Sequence, residues 1–114
     1  MEKKNIDWSS IGFAYMPTDY RYVSNFKDGK WDEGTLSTDP NIVLNECAGV
    51  LQYSQSVFEG LKAYTTEDGH IVTFRPDLNA ERMAASAARL EMPVFPKERF
   101  IDAVEQVVKA NAAW

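Results

Sequence analysis

The stretch YSQSVFEGLKAYTTEDGHIVTFRPDLNAER, residues 53–82, carries the densest run of structural signals in the chain. Two β-prone runs, 60–65 and 70–74, flank Glu67-Asp68-Gly69, and Asp-Gly reverses a chain into a hairpin because it accepts positive φ. Arg75-Pro76-Asp77 then opens a helix. Asp77 is placed to cap it, its carboxylate accepting amide hydrogens of the first turn. The helix is expected from Asp77 or Leu78 through Leu90, a segment rich in the strong helix formers Ala, Met and Leu. Met83, Ala87 and Leu90, at i, i+4 and i+7, predict one buried stripe, and Arg82, Ser86 and Arg89 a polar one beside it. Tyr53, Phe58, Lys62, Arg75 and Arg82 add a cluster of aromatic and cationic side chains of the kind that walls one side of a pocket.

Toward the N-terminus, residues 20–26 alternate Tyr20 and Tyr22 against Arg21 and Val23 and read as a half-buried strand. Asp28-Gly29 predicts a second tight hairpin turn, with residues 30–33 as the return strand. Residues 34–46 read as loop with one short strand or turn, and 48–53 stays open between a short helix and an irregular segment. Residues 1–10, apolar only at Ile6 and Trp8, predict a loosely held lead-in to a folded domain spanning 11–114. Toward the C-terminus, Pro93 and Pro96 separate a second helix, 97–113. Phe100, Ile101, Val104, Val107 and Val108 form its packing face; Asp102, Glu105, Gln106 and Lys109 face water. A tryptophan directly after that helix, with no capping residue, is expected to mark a cut rather than a natural end. Strands first and helices after give an α+β class: an antiparallel sheet of hairpins with two helices packed on one face.

At 114 residues, 45% of them hydrophobic, the chain is the size of one domain with a core. A net charge of -5 disfavours nucleic acid, whose phosphates need a basic face, and disfavours a polybasic membrane anchor. No apolar run approaches the roughly 20 residues of a membrane span, and residues 1–10 lack the apolar segment of a signal peptide, so a cytoplasmic location is expected. Cys47 is the single cysteine, which rules out an intrachain disulfide or a thiolate metal cluster. His70, the single histidine, lies beside the Asp68-Gly69 turn, a poor place for a catalytic imidazole. No metal site and no catalytic residue is assigned.

The segments LQYSQSVFEGLKAY and IVTFRPDLNAERMAASAARLEMP closely resemble the branched-chain amino acid aminotransferases, pyridoxal-phosphate enzymes with the D-amino-acid aminotransferase-like fold. The resemblance runs from about residue 11 to 114 and covers only the first, smaller domain of that family. It implies amino transfer from leucine, isoleucine or valine to 2-oxoglutarate, with pyridoxal 5'-phosphate as cofactor and a homodimeric assembly. The cofactor-bearing lysine of the family belongs to the second domain, so Lys62 is not assigned that role, and the 114-residue chain is expected to be inactive alone. Arg82 matches the family arginine that holds the cofactor phosphate, and Tyr53 and Phe58 match aromatic positions lining the pocket for the branched side chain. Arg75 is expected to brace the hairpin–helix junction. Gln52 and Ser54 depart from the histidine and glycine frequent in the family. The ordinary alternatives are a helix-surface arginine paired with a carboxylate and aromatic rings in core packing; for the whole chain, the alternative is a free-standing binding or interaction module without catalysis.

Overall fold

Short paired strands precede the two long helices in the computed structural model, which describes residues 2–114. Strand β1 (Arg21–Val23) pairs antiparallel with β4 (Thr35–Ser37), Tyr22 opposite Leu36. Nested inside is the hairpin of β2 (Phe26–Lys27) and β3 (Lys30–Trp31). Its turn is the predicted Asp28-Gly29, both residues at positive φ (53° and 80°), as the tightest hairpin connection requires. Between the two ladders Asp32 acts as a splice. Its carboxylate accepts from the amides of Asn25 and Gly34 at 3.0 Å each and from the Ser24 hydroxyl at 2.9 Å. The Asn25 amide first, and the Ser24 hydroxyl next, hold this carboxyl below its usual pKa. Gly34 sits at φ 74°, and a Cβ there would come within 2.1 Å of the Tyr22 hydroxyl oxygen, so both backbone and space demand glycine.

Trp31 joins this double hairpin to the helical half. Its ring meets Phe26 and Phe95 edge-on, centroids 5.2 and 5.0 Å away, and its indole N–H donates to the Val94 carbonyl at 3.0 Å. Arg99 donates to the carbonyl of Asp32 and stands over the Phe95 ring.

The segment left open by sequence is a five-residue helix, α1 (Gly49–Tyr53), ended by Ser54 in the left-handed region. Strands β5 (Ala63–Thr65) and β6 (Ile71–Thr73) form the second predicted hairpin. Helix α2 (Pro76–Arg89) packs on α3 (Lys97–Ala110), and α3 lies against β1. The α+β class holds, with the strands arranged as three separate two-stranded ladders. Each strand is only two or three residues long, and segments 38–48 and 54–62 contain no strand.

Two expectations differ in detail. Asp77 does not cap α2: the helix starts one residue earlier, at Pro76, with Arg75 at the cap position in the left-handed region (φ 48°). Asp77 therefore lies in the first turn, where the positive helix end and the Arg75 guanidinium both favour its charge. Arg75 grips it through Nε at 2.9 Å and Nη2 at 2.7 Å, and this contact lowers its pKa to about 2. Arg75 thus braces the junction, as expected. The lead-in, second, is tied down. The Lys4 amide donates to the Ala113 carbonyl at 2.6 Å, its ammonium pairs with Asp19 at 2.9 Å, and the Trp114 indole N–H donates to the same Asp19 at 3.1 Å. The Asn111 side chain completes this knot, accepting from the amides of Asp19 and Tyr20. Polar contacts across more than 90 residues leave no periodic trace in sequence.

The predicted stripe of α2 buries Ala87 and half-buries Met83, while Leu90 is 42% exposed; Ala80 and Asn79 are the other buried residues of this helix. The packing face predicted for α3 is half-buried throughout, and Gln106 joins it. The core is thin: the surface totals 9102 Å², against about 6,300 Å² for a folded monomer of this mass. The radius of gyration, 15.8 Å, likewise exceeds the roughly 13 Å of a close-packed domain this long.

Candidate functional site

Around the hairpin–helix junction the predicted residues Tyr53, Phe58 and Arg82 are all exposed. Tyr53 ends α1, where the left-handed Ser54 turns the chain outward, and its ring is 87% exposed. Phe58 lies in the irregular segment that follows and is 89% exposed. Neither ring packs into the core of this chain. Neither ring joins an aromatic pair among the described residues.

Arg82 sits on the second turn of α2, its side chain 62% exposed. It is held by a carboxylate of its own chain: Nε donates to Glu59 Oε1 at 2.5 Å and Nη2 to Oε2 at 2.8 Å. This is the carboxylate-paired arrangement that any helix-surface arginine can adopt. It ties α2 to the 54–62 segment at Glu59, the residue that follows Phe58.

Beneath the pair, the Asn79 amide donates to Glu59 Oε2 at 2.8 Å and to the Gly60 carbonyl at 3.0 Å. The Arg82 contact, then the Asn79 one, hold the Glu59 carboxyl below its ordinary pKa. Sequence reasoning passed over Glu59. The available signal was its isolation: it is the only acid between Glu46 and Glu67, set in an aromatic and apolar run.

The remaining candidates play smaller parts. Lys62 is exposed in the segment before β5. His70 is an exposed turn residue paired with Asp68 at 2.9 Å, and Cys47 is an exposed free thiol. Two open grooves indent the surface. One, of about 380 Å³, lies between β6 and α3 and is lined by Ile71, Ile101, Val104 and Val108; the other, of about 400 Å³, lies beside the Asp28-Gly29 turn. Neither is lined by Tyr53, Phe58 or Arg82. Among the described residues, no group of three His, Cys, Asp or Glu side chains is placed to hold a metal, and no helix is long and apolar enough to cross a membrane.

Chemically, a half-satisfied arginine suits an anion. Glu59 occupies Nε and one hydrogen of Nη2, while Nη1 has no hydrogen-bond partner among the described residues. A guanidinium carries five N–H donors, so an outer edge remains that matches a phosphate or carboxylate. The donor set therefore fits one contact to the phosphate of a cofactor.

No family model matches the chain. It is 52% identical over 111 residues to the branched-chain-amino-acid aminotransferase of Haemophilus influenzae, covering 97% of this chain and 32% of that protein. It is 42% identical over 111 residues to the protein of the same name in Helicobacter pylori, covering 97% of this chain and 33% of that one. A methionine aminotransferase of Arabidopsis thaliana is 45% identical over 111 residues, which is 96% of this chain and 31% of the plant protein. These identities make the chain similar to the branched-chain-amino-acid aminotransferases, and it spans about a third of the length of the relatives it matches.

Proposed function

We propose that the chain is the N-terminal small domain of an aminotransferase that moves the amino group of leucine, isoleucine or valine to 2-oxoglutarate, working with pyridoxal 5'-phosphate as a cytoplasmic homodimer. The observation that carries this reading is 52% identity to a branched-chain-amino-acid aminotransferase over 97% of the chain. The excess surface supports it, because an area well beyond that of a lone monomer, with Phe13, Tyr53, Phe58 and Phe74 all highly exposed, suits a domain covered by others.

Within that reading Arg82 would hold the cofactor phosphate through the guanidinium donors that Glu59 leaves free, a charge-assisted contact. Tyr53 and Phe58 close over the branched substrate side chain. Such a wall must be apolar, since each buried methylene is worth about 0.8 kcal/mol and offers nothing to a polar group. The cofactor supplies the electron sink for amino transfer; this domain supplies binding and orientation. The same rings shield the reacting atoms from water.

The test is amino transfer by the polypeptide encoded by the complete reading frame, supplied with pyridoxal 5'-phosphate, each of the three branched amino acids and 2-oxoglutarate. Activity is expected from that polypeptide and none from the 114-residue chain. Activity in the short chain, or inactivity of the long one with all three donors, overturns the proposal.

A further inference from the structure

Glu59 is 8% exposed at its side chain, while the arginine it holds is 62% exposed. Both of its oxygens are engaged on the inner side, Oε1 by Arg82 Nε and Oε2 by Arg82 Nη2 and the Asn79 amide. Asn79 is itself buried and anchored to the Gly60 carbonyl. A chain of contacts therefore runs from the interior of α2 through Glu59 to the guanidinium, ending at an edge turned to solvent. We propose that Glu59, braced by Asn79, is a positioning residue that locks Arg82 by its inner edge so that the outer edge meets an incoming phosphate. This rests on Arg82 being the phosphate ligand of the proposed function.

Two opposing effects of a carboxylate at this place set the sign of the test. It offsets the arginine's positive charge, which weakens attraction for an anion. It also removes the rotamer freedom of a long side chain before the ligand arrives, which strengthens binding. The geometry favours the second. Glu59 leaves the two Nη1 hydrogens and one of Nη2 unused, so it does not compete for the donors a phosphate needs.

The experiment measures dissociation constants for pyridoxal 5'-phosphate and for pyridoxal, which lacks the phosphate, on the full-length polypeptide carrying this chain. The variants are Glu59→Gln, Arg82→Gln and the double substitution. Positioning predicts that Glu59→Gln weakens pyridoxal 5'-phosphate about three- to tenfold, the range set by freeing one long side chain, and leaves pyridoxal unchanged. It also predicts that the loss disappears in the Arg82→Gln background. Tighter or unchanged binding in Glu59→Gln, or the same loss with Arg82 absent, overturns the inference. An Arg82→Gln protein that binds both ligands like the wild type overturns instead the reading of Arg82 on which the inference rests. Should Glu59→Gln not fold, the wild type decides: the Arg82 Nε–H resonance is expected to be ordered and slow to exchange before ligand is added, and averaging like that of the exposed Arg89 contradicts the proposal.

Discussion

The double hairpin around Trp31 and the junction around Arg82 use the same residue types to opposite ends. In the hairpin, polar groups are spent inward. Asp32 gathers the amides of Asn25 and Gly34, Arg99 reaches the Asp32 carbonyl, and Trp31 places its one donor on Val94. At the junction, the inner half of the guanidinium is satisfied by Glu59 and the outer half has no partner among the described residues, while the Tyr53 and Phe58 rings stand almost fully exposed. A region that satisfies all its own groups is scaffold. The junction, by contrast, keeps donors and apolar surface unspent, as the proposed function requires of it.

The largest expected effect lies on the scaffold side. Trp31→Ala removes two edge-to-face pairs and an indole hydrogen bond, and is expected to cost about 2–3 kcal/mol in urea unfolding. A change below about 0.5 kcal/mol would mean that the hairpin is not what holds the helices, and the contrast between the regions would fail.

A smaller effect is expected at Asp77, in the first turn of α2. Its pKa is depressed from 3.8 to about 2 by Arg75, so the pair stabilises fully above pH 3.8 and its contribution is lost as pH falls toward 2. Thermal midpoints of wild type and Asp77→Asn should therefore differ above pH 4 and draw together near pH 2. Parallel curves over that range would show that Asp77 adds nothing through its charge.

The smallest effect belongs to the open face. Tyr53→Ala and Phe58→Ala should each change the stability of the isolated chain by no more than about 0.5 kcal/mol, since their rings bury almost nothing. A loss of several kcal/mol in either would make these rings core residues and remove them from the proposed pocket.

How far the sequence reached follows the same division. Signals confined to a few neighbouring residues were legible: Asp28-Gly29 as a turn with both residues at positive φ, the second hairpin, and the two amphipathic helices. Pairings between distant residues were not. Lys4 with Asp19 and Trp114, and Asn111 with Tyr20, join the two ends of the chain through polar groups that follow no period. Asp77 misled because its cap-like spacing ignored that Pro76 can itself begin the helix. At the junction the pairing of Glu59 with Arg82 and Asn79 needed three dimensions. Its partners lie 20 and 23 residues away and meet it only once α2 packs beside the 54–62 segment.

The central claim is that Arg82 holds a cofactor phosphate from this face. Its most direct measurement is the pyridoxal 5'-phosphate concentration giving half-maximal amino transfer in the full-length polypeptide, compared between wild type and Arg82→Gln. The account predicts that the variant needs about ten- to a hundredfold more cofactor, the loss of a charge-assisted contact, with kcat at saturating cofactor close to that of the wild type. An unchanged requirement would contradict it.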